Sequence, residues 1–296
     1  MRQFTAVINP AAGGQAGAAA LIPIARQLRE AGAEVEVSHS RSLRHAGELA
    51  LEAGEKGRTV LAVGGDGMAG RIGGALAGTE AVCGFVPAGR GNDFARALGL
   101  PREPAALARL LLAAEPRQVD AIGLTSAAHP DTVALGSVYA GVDAVANRNA
   151  NTSRLLRGSA SYYVGALRAV ASWRPVSYRL TIDGETCERR GYTVVVANSA
   201  YYGFGRQVAP AARLDDGLLD VVIIKHAPKR LFFAVMNELK DGSHIRRPEV
   251  EVLTGREIRI EAPERARPLP YGADGEVDAV LPVTARVLPR ALRVLA

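Results

Sequence analysis

The feature that most limits the fold is an alternation, between residues 4 and 86, of short apolar runs with helix-patterned segments. Phe4–Ile8, Glu34–Ser38, Thr59–Val63 and Val82–Val86 have strand composition. Between them the spacing predicts helices over Ala16–Ala31, over His45–Gly54 and after Met68. Repetition of strand and helix in this order calls for a parallel sheet covered by helices. A further helix, Pro104–Ala114, precedes a strand at Gln118–Leu124.

Beyond Ser126–Pro130 the texture changes to short runs rich in Val, Tyr, Thr and Ile, such as Val176–Ile182, Tyr192–Ala197, Leu218–Ile224 and Glu257–Glu261. Helical patterns over Ser159–Trp173 and Lys229–Lys240 interrupt them. A length of 296 residues suits two unequal domains. The reading is an α/β domain over residues 1–124 and a β-rich domain over 125–284, with the strand-like tail in 285–296 read as returning to the first.

Composition narrows the class. Hydrophobic residues at 48% and charged residues at 22% describe an ordinary globular chain. The net charge of +6 invites an anionic partner, but the arginines are scattered and not interleaved with aromatics, which argues against nucleic acid. A basic surface equally suits ATP, a negatively charged membrane face, or simple solvation. No run approaches about 18 apolar residues, and no secretory leader is read at Met1–Ile8, so a cytoplasmic protein with reduced Cys83 and Cys187 is expected. The histidines show neither metal-ligand spacing nor a Ser/His/Asp order.

Three strand ends carry the chemistry. Asn9-Pro10-Ala11-Ala12-Gly13-Gly14 opens the first helix, where free N–H groups meet anions; alone, it reads equally as a plain turn. No dinucleotide fingerprint or P-loop spacing occurs. Gly64-Gly65-Asp66-Gly67 follows an apolar strand, and its glycines bring amides close to phosphates while Asp66 reaches a Mg²⁺ between them. The competing reading is an Asp capping a helix. Gly89-Arg90-Gly91-Asn92-Asp93 repeats the construction after Val82–Val86, and there capping and phosphate binding coexist. Ligands of open α/β sheets bind outside the carboxyl ends of strands, where all three segments fall.

In this order and spacing, Asn9-Pro10, Gly64-Gly65-Asp66-Gly67 and Pro87-Ala88-Gly89-Arg90-Gly91-Asn92-Asp93-Phe94-Ala95-Arg96 resemble the diacylglycerol kinase catalytic family, which includes bacterial lipid kinases and the sphingosine and ceramide kinases. Asn198, Tyr202-Gly203, Ala209-Pro210, Leu214-Asp215-Asp216-Gly217-Leu218-Leu219-Asp220 and Asp274-Gly275-Glu276 extend the resemblance over nearly the whole chain. It implies a three-layer ATP-binding α/β domain followed by a β-sandwich-like lipid-substrate domain, with Mg²⁺-ATP as donor and a lipid hydroxyl as acceptor.

Carried over by residue, the resemblance implies that Asp66 with Gly64, Gly65 and Gly67 holds Mg²⁺-ATP, with Asn9, Pro10 and Gly13 near the phosphates. Ser40, Met68, Gly89, Arg90, Gly91, Asn92 and Asp93 complete the nucleotide contacts. Glu276 matches the general base, which would accept the proton of the attacking hydroxyl; read on its own it is an acid in a hairpin turn. Asp216, with the carbonyls of Arg213 and Leu218, matches a second, structural Mg²⁺ site, against the plain reading of an Asp-Asp-Gly turn. Met68 and Arg90 stand where similar proteins have Thr, which removes two hydroxyls, although the Arg90 fork fits phosphate oxygens. Leu231-Phe232-Phe233-Ala234-Val235-Met236 suits packing on the β domain or contact with a membrane.

Two rivals remain at this point. NAD kinases share the Gly-Gly-Asp-Gly loop, but an Asn-Glu pair and a Ser-Ala-Gly-Gly segment like theirs are lacking. A non-catalytic lipid-binding protein would have no need of Glu276. The expected partners are ATP and a lipid at a membrane surface, with transient peripheral contact and a homodimer as the default assembly.

Overall fold

The computed structural model describes residues 2–9, 16–128, 131–152, 174–263 and 268–296. In the first half β1 (Gln3–Ile8), α1 (Ala16–Glu30), β2 (Glu34–His39), α2 (Leu43–Glu55), β3 (Thr59–Gly64), α3 (Asp66–Leu76) and β4 (Val82–Pro87) alternate as the pattern requires. Short α4 (Asp93–Ala97) and α5 (Pro104–Ala113) follow. The strands are parallel, in the order β4-β3-β1-β2.

Successive side chains of a strand point to opposite faces, and here each face has its own core. Phe4, Ala6 and Ile8 of β1 with Leu61 and Val63 of β3 pack under Leu21, Ile24 and Leu28 of α1 and Leu107 and Leu111 of α5. Val7, Val60 and Ala62 face Ala46 and Ala50 of α2 and Met68, Ile72 and Leu76 of α3. Helices cover both faces, so the strands read as continuous apolar runs, and the first half is a three-layer α/β unit.

The second half holds β5 (Pro116–Ser126), β6 (Thr132–Ala134), β7 (Ser137–Gly141), α6 (Val142–Thr152), β8 (Val176–Ile182), β9 (Glu185–Ala197), β10 (Tyr201–Tyr202), β11 (Arg206–Gln207) and β12 (Leu219–Lys225). After a 3-10 turn at Lys229–Leu231 come α7 (Phe232–Glu238), β13 (Val250–Gly255), β14 (Glu257–Glu261), β15 (Pro270–Ala273), β16 (Glu276–Val280) and β17 (Val283–Leu295). Val194 and Val196 of β9, Val221 and Ile223 of β12, and Ile258 and Ile260 of β14 build one core. Val195, Ala197 and Val222, on the opposite faces, pack with Leu239 and Val208.

Long β17 links the halves. It pairs antiparallel with β14 and β5, shifts register between Leu288 and Leu292, and then pairs parallel with β4 through Arg293 and Val294. The two halves therefore share one hydrogen-bonded sheet. Helix α6 was not foreseen, because its Asn-rich, β-branched sequence Val-Asp-Ala-Val-Ala-Asn-Arg-Asn-Ala-Asn-Thr has weak helix propensity. The helical pattern over Ser159–Trp173 lies outside the described residues.

Candidate active-site cleft

Register puts the strand ends in one row. Ile8 pairs with His39 and Val63, and Gly64 pairs with Pro87, so Asn9, Ser40, Gly64 and Ala88 line the carboxyl edge of the sheet. Ser40 is buried, and both its N and its Oγ donate to Ile8 O, at 2.8 and 3.3 Å.

The loops after β3 and β4 are locked against each other. Ala88 N donates to Gly64 O at 2.8 Å, and a Cβ on Gly89 would overlap Gly65 Cα, so backbone meets backbone only because both residues are glycine. Asn92 adopts the left-handed conformation, φ 53° and ψ 44°, and clamps Gly89 from both sides: Oδ1 accepts from Gly89 N and Nδ2 donates to Gly89 O, each at 2.9 Å. Asp66, in the first turn of α3, accepts from Phe94 N at 3.2 Å through Oδ1. Its Oδ2 lies beside Gly91, where a Cβ would approach to 2.7 Å.

Two further carboxylates meet this edge, Asp93 bonding across to the β-rich half and Asp274 lying within that half. Asp93 accepts from Phe204 N at 3.1 Å and Gly205 N at 2.5 Å. Burial, and then the charge of Asp66, pushes its pKa above the usual carboxylate range against the pull of those amides. Asp274, enclosed, accepts from Leu135 N at 2.6 Å, Gly136 N at 2.8 Å and Ser137 N at 3.1 Å. Desolvation still raises its pKa, and Asp66 adds to the rise. Asp274 Oδ2 sits where a Cβ on Gly70 of α3 would lie 3.0 Å away, so the small residue lets helix and turn touch.

Asn147 of α6 holds the same turn, since its Nδ2 donates to Gly275 O at 2.9 Å and to Tyr139 Oη at 2.6 Å. Glu276 opens β16 opposite Ala273, and its side chain is outside the described part. The enclosed space is a cleft of about 230 Å³ bordered by Asp66, Arg90, Asp93, Asn147, Tyr201 and Asp274. A neighbouring cavity of about 450 Å³, lined by Arg71, Thr132 and Tyr271, shares Gly70 and Asp274 with it.

The remaining candidates divide between the cleft and other places. Met68 is 2% exposed and packs in the core under Gly64, away from the cleft. Arg90 is exposed at the cleft. Pro10 and Gly13 lie outside the described residues. Arg213, Asp216 and Leu218 sit on the loop before β12: Asp216 Oδ1 accepts from Leu218 N at 3.0 Å, and Arg213 pairs with Asp215 at 3.4 Å. Burial, and then the charge of Asp216, lifts Asp220 to about 6. Among the described residues no three His, Cys, Asp or Glu side chains are arranged to hold a metal ion.

Sequence reasoning gave no role to Asp274, Asn147 or Asp120. Asp120 is 1% exposed and accepts from Gly217 N and Arg290 N, both at 2.7 Å, which binds the loop before β12 to β17. A lone Asp inside the apolar run Val119–Leu124 was the available signal, because a buried carboxylate needs partners.

An α/β half and a β-rich half thus share a carboxylate-lined cleft at the carboxyl edge of a parallel sheet. The diacylglycerol kinase catalytic domain matches residues 3–124, and the YegS C-terminal NAD kinase beta sandwich-like domain matches residues 136–296. The chain is 30% identical to a diacylglycerol kinase of Mycobacterium tuberculosis over 99% of its own length and 94% of the relative's. It is 25% identical to a diacylglycerol kinase of Bacillus subtilis over 95% and 92%. A crystal structure of a diacylglycerol kinase from Bacillus anthracis superposes with a TM-score of 0.70 at 19% identity, covering 99% of this chain and 96% of that one. The chain belongs to the diacylglycerol kinase family of lipid kinases, which are phosphotransferases.

Proposed function

We propose that the chain transfers the γ-phosphate of ATP, with Mg²⁺, to the hydroxyl of a lipid such as diacylglycerol. The observation that carries this reading is the convergence of Asp66, Asp93 and Asp274 on one cleft, with Asp274 in the turn that leads into Glu276. In it, residues 1–124 with the 285–296 tail bind ATP, and residues 125–284 receive the lipid.

Phosphoryl transfer asks the protein mainly for positioning and electrostatics. The amides of Gly64–Gly67 and of Arg90 and Gly91 suit phosphate oxygens, and the exposed Arg90 side chain supplies a cation beside them. Asp66 has one oxygen engaged and the other facing Gly91, which fits an ion that binds through one or two carboxylates plus substrate phosphates. Asp66 would hold a Mg²⁺ there, and the chemistry supplied would be neutralisation of phosphate charge. Glu276 takes the proton of the attacking hydroxyl. At the second site, Asp216 with the carbonyls of Arg213 and Leu218 offers hard oxygen ligands, and a cation would relieve the repulsion between Asp216 and Asp220.

The lipid is met at a membrane surface from the cytoplasmic side, peripherally. Among the described residues no helix is long and apolar enough to cross a bilayer. The test is label transfer from γ-labelled ATP, with and without Mg²⁺, to diacylglycerol, other lipid alcohols and NAD. Organic-phase product that needs Mg²⁺ is expected; label on NAD alone would replace this reading with that of a nicotinamide-nucleotide kinase.

A further inference from the structure

The α7 region carries an exposed face that the phosphotransfer chemistry does not use. Val235, Met236 and Leu239 pack inward on the β-rich half. On the other side Arg230, Phe233, Asn237 and Lys240 recur at helical spacing, and all are exposed, Phe233 at 67%. The following 3-10 turn adds exposed Ile245 and Arg246, and Arg247 fastens it to α7 through two hydrogen bonds of 2.6 Å to Glu238.

This unit is joined to the cleft. Arg206 donates to Met236 O at 2.6 Å and Gln207 N to Leu239 O at 2.7 Å, fixing the β10–β11 hairpin to the end of α7. The tip of that hairpin is Phe204, 46% exposed, which borders the cleft. Residues 229–247 hold five Lys or Arg against the two acids Glu238 and Asp241. Large exposed aromatics ringed by basic side chains are the composition of a face that rests on an anionic bilayer, its rings reaching the acyl boundary and its cations meeting the headgroups.

We propose that Arg230, Phe233, Lys240, Ile245 and Arg246, continued by Phe204, form a docking face for an anionic lipid bilayer that sets the cleft mouth against the membrane. The inference rests on the lipid-kinase reading and adds to it how an acceptor with long chains reaches the cleft. Asp241 is the exposed opposing charge on this face, and the Glu238 carboxylate is already taken by Arg247.

The test compares the wild-type chain with Phe233→Gln and with the pair Arg230→Glu and Lys240→Glu. Co-sedimentation is measured with phosphatidylglycerol–phosphatidylcholine vesicles and with phosphatidylcholine vesicles alone. Phosphate transfer is measured to long-chain diacylglycerol in those vesicles and to water-soluble dihexanoylglycerol. The wild type should sediment with the anionic vesicles, and each variant should bind them and phosphorylate their diacylglycerol about tenfold less, with the dihexanoylglycerol rate unchanged. Variants that sediment like the wild type would overturn the proposal, as would variants that convert a dimer to a monomer in light scattering, because the face would then join two copies. Transfer to dihexanoylglycerol by a wild type that binds no vesicles sinks the docking face alone. Vesicle binding lost in the variants, with no transfer to any lipid, supports the face and sinks the kinase reading.

Discussion

Asp66 and Asp274 are neighbours across the cleft, yet the two halves hold them by opposite means. Asp66 stands in the first turn of α3, one oxygen accepting from Phe94 N and the other turned toward Gly91. Asp274 is enclosed, left-handed at φ 47°, and engaged by three consecutive amides. The first carboxylate keeps one oxygen turned toward Gly91, and the second is consumed in holding the β6–β7 and β15–β16 turns of the β-rich half together. A carboxylate in a cleft is thus defined by the hydrogen bonds already made to it more than by its charge.

The contrast can be broken by substitution, starting with the largest effect. Asp66→Ala should reduce phosphate transfer by about 10³-fold through loss of the proposed electrostatic contact to bound nucleotide, and lower stability by only about 1 kcal/mol through loss of the Phe94 N bond. A small shift in urea melts with lost turnover checks it. Asp274→Asn should reverse that balance, lowering stability by about 2–4 kcal/mol in urea melts, because a buried amide cannot accept from three N–H groups as a carboxylate does.

Asp143 sharpens the comparison, being a half-buried acid at the start of α6 in the β-rich half. Thr193 Oγ1 lies 2.9 Å from Ala140 O and 3.0 Å from Asp143, and its single proton cannot serve both acceptors. Burial lifts Asp143 to about 6, from an ordinary value of 3.8. Below about pH 4 the acid is protonated in both folded and unfolded chains and costs nothing. From there to pH 6 the unfolded chain ionises first and stability falls; above pH 6 the deficit is constant. At 1.36 kcal/mol per pKa unit, Asp143→Asn should raise stability by about 2–3 kcal/mol at pH 8 and by only about 0.5 kcal/mol at pH 4. Equal gains at both pH values would refute the buried ionisation. The smallest effect is expected of Asn147→Ala, which frees the Gly275 turn: kcat should fall about tenfold with little change in KM for ATP, and Asn147→Ser should recover part of it.

The sequence made the two halves unequally legible for the same reason. β1 to β4 and their helices follow local periodicity, and the Gly64–Gly67 and Gly89–Asp93 loops lie at strand ends that the pattern locates. What positions the rest is non-local: Asp93 reaches Phe204 across the halves, Asp274 reaches Leu135 within the β-rich half, and Asp120 meets Arg290. No spacing rule connects positions so far apart in the chain. Met68 shows a second limit, since a motif position read as a nucleotide contact is filled by a side chain that turns into the core under Gly64.

The central claim is a division of labour, with nucleotide held by the α/β half and the acceptor proton taken from the β-rich half. Mg²⁺-ATP affinity and transfer to diacylglycerol, measured together on Glu276→Gln, test it most directly. The account predicts ATP affinity within about twofold of wild type and transfer reduced about 10²–10⁴-fold. Transfer at the wild-type rate, or loss of ATP binding in step with transfer, would contradict it.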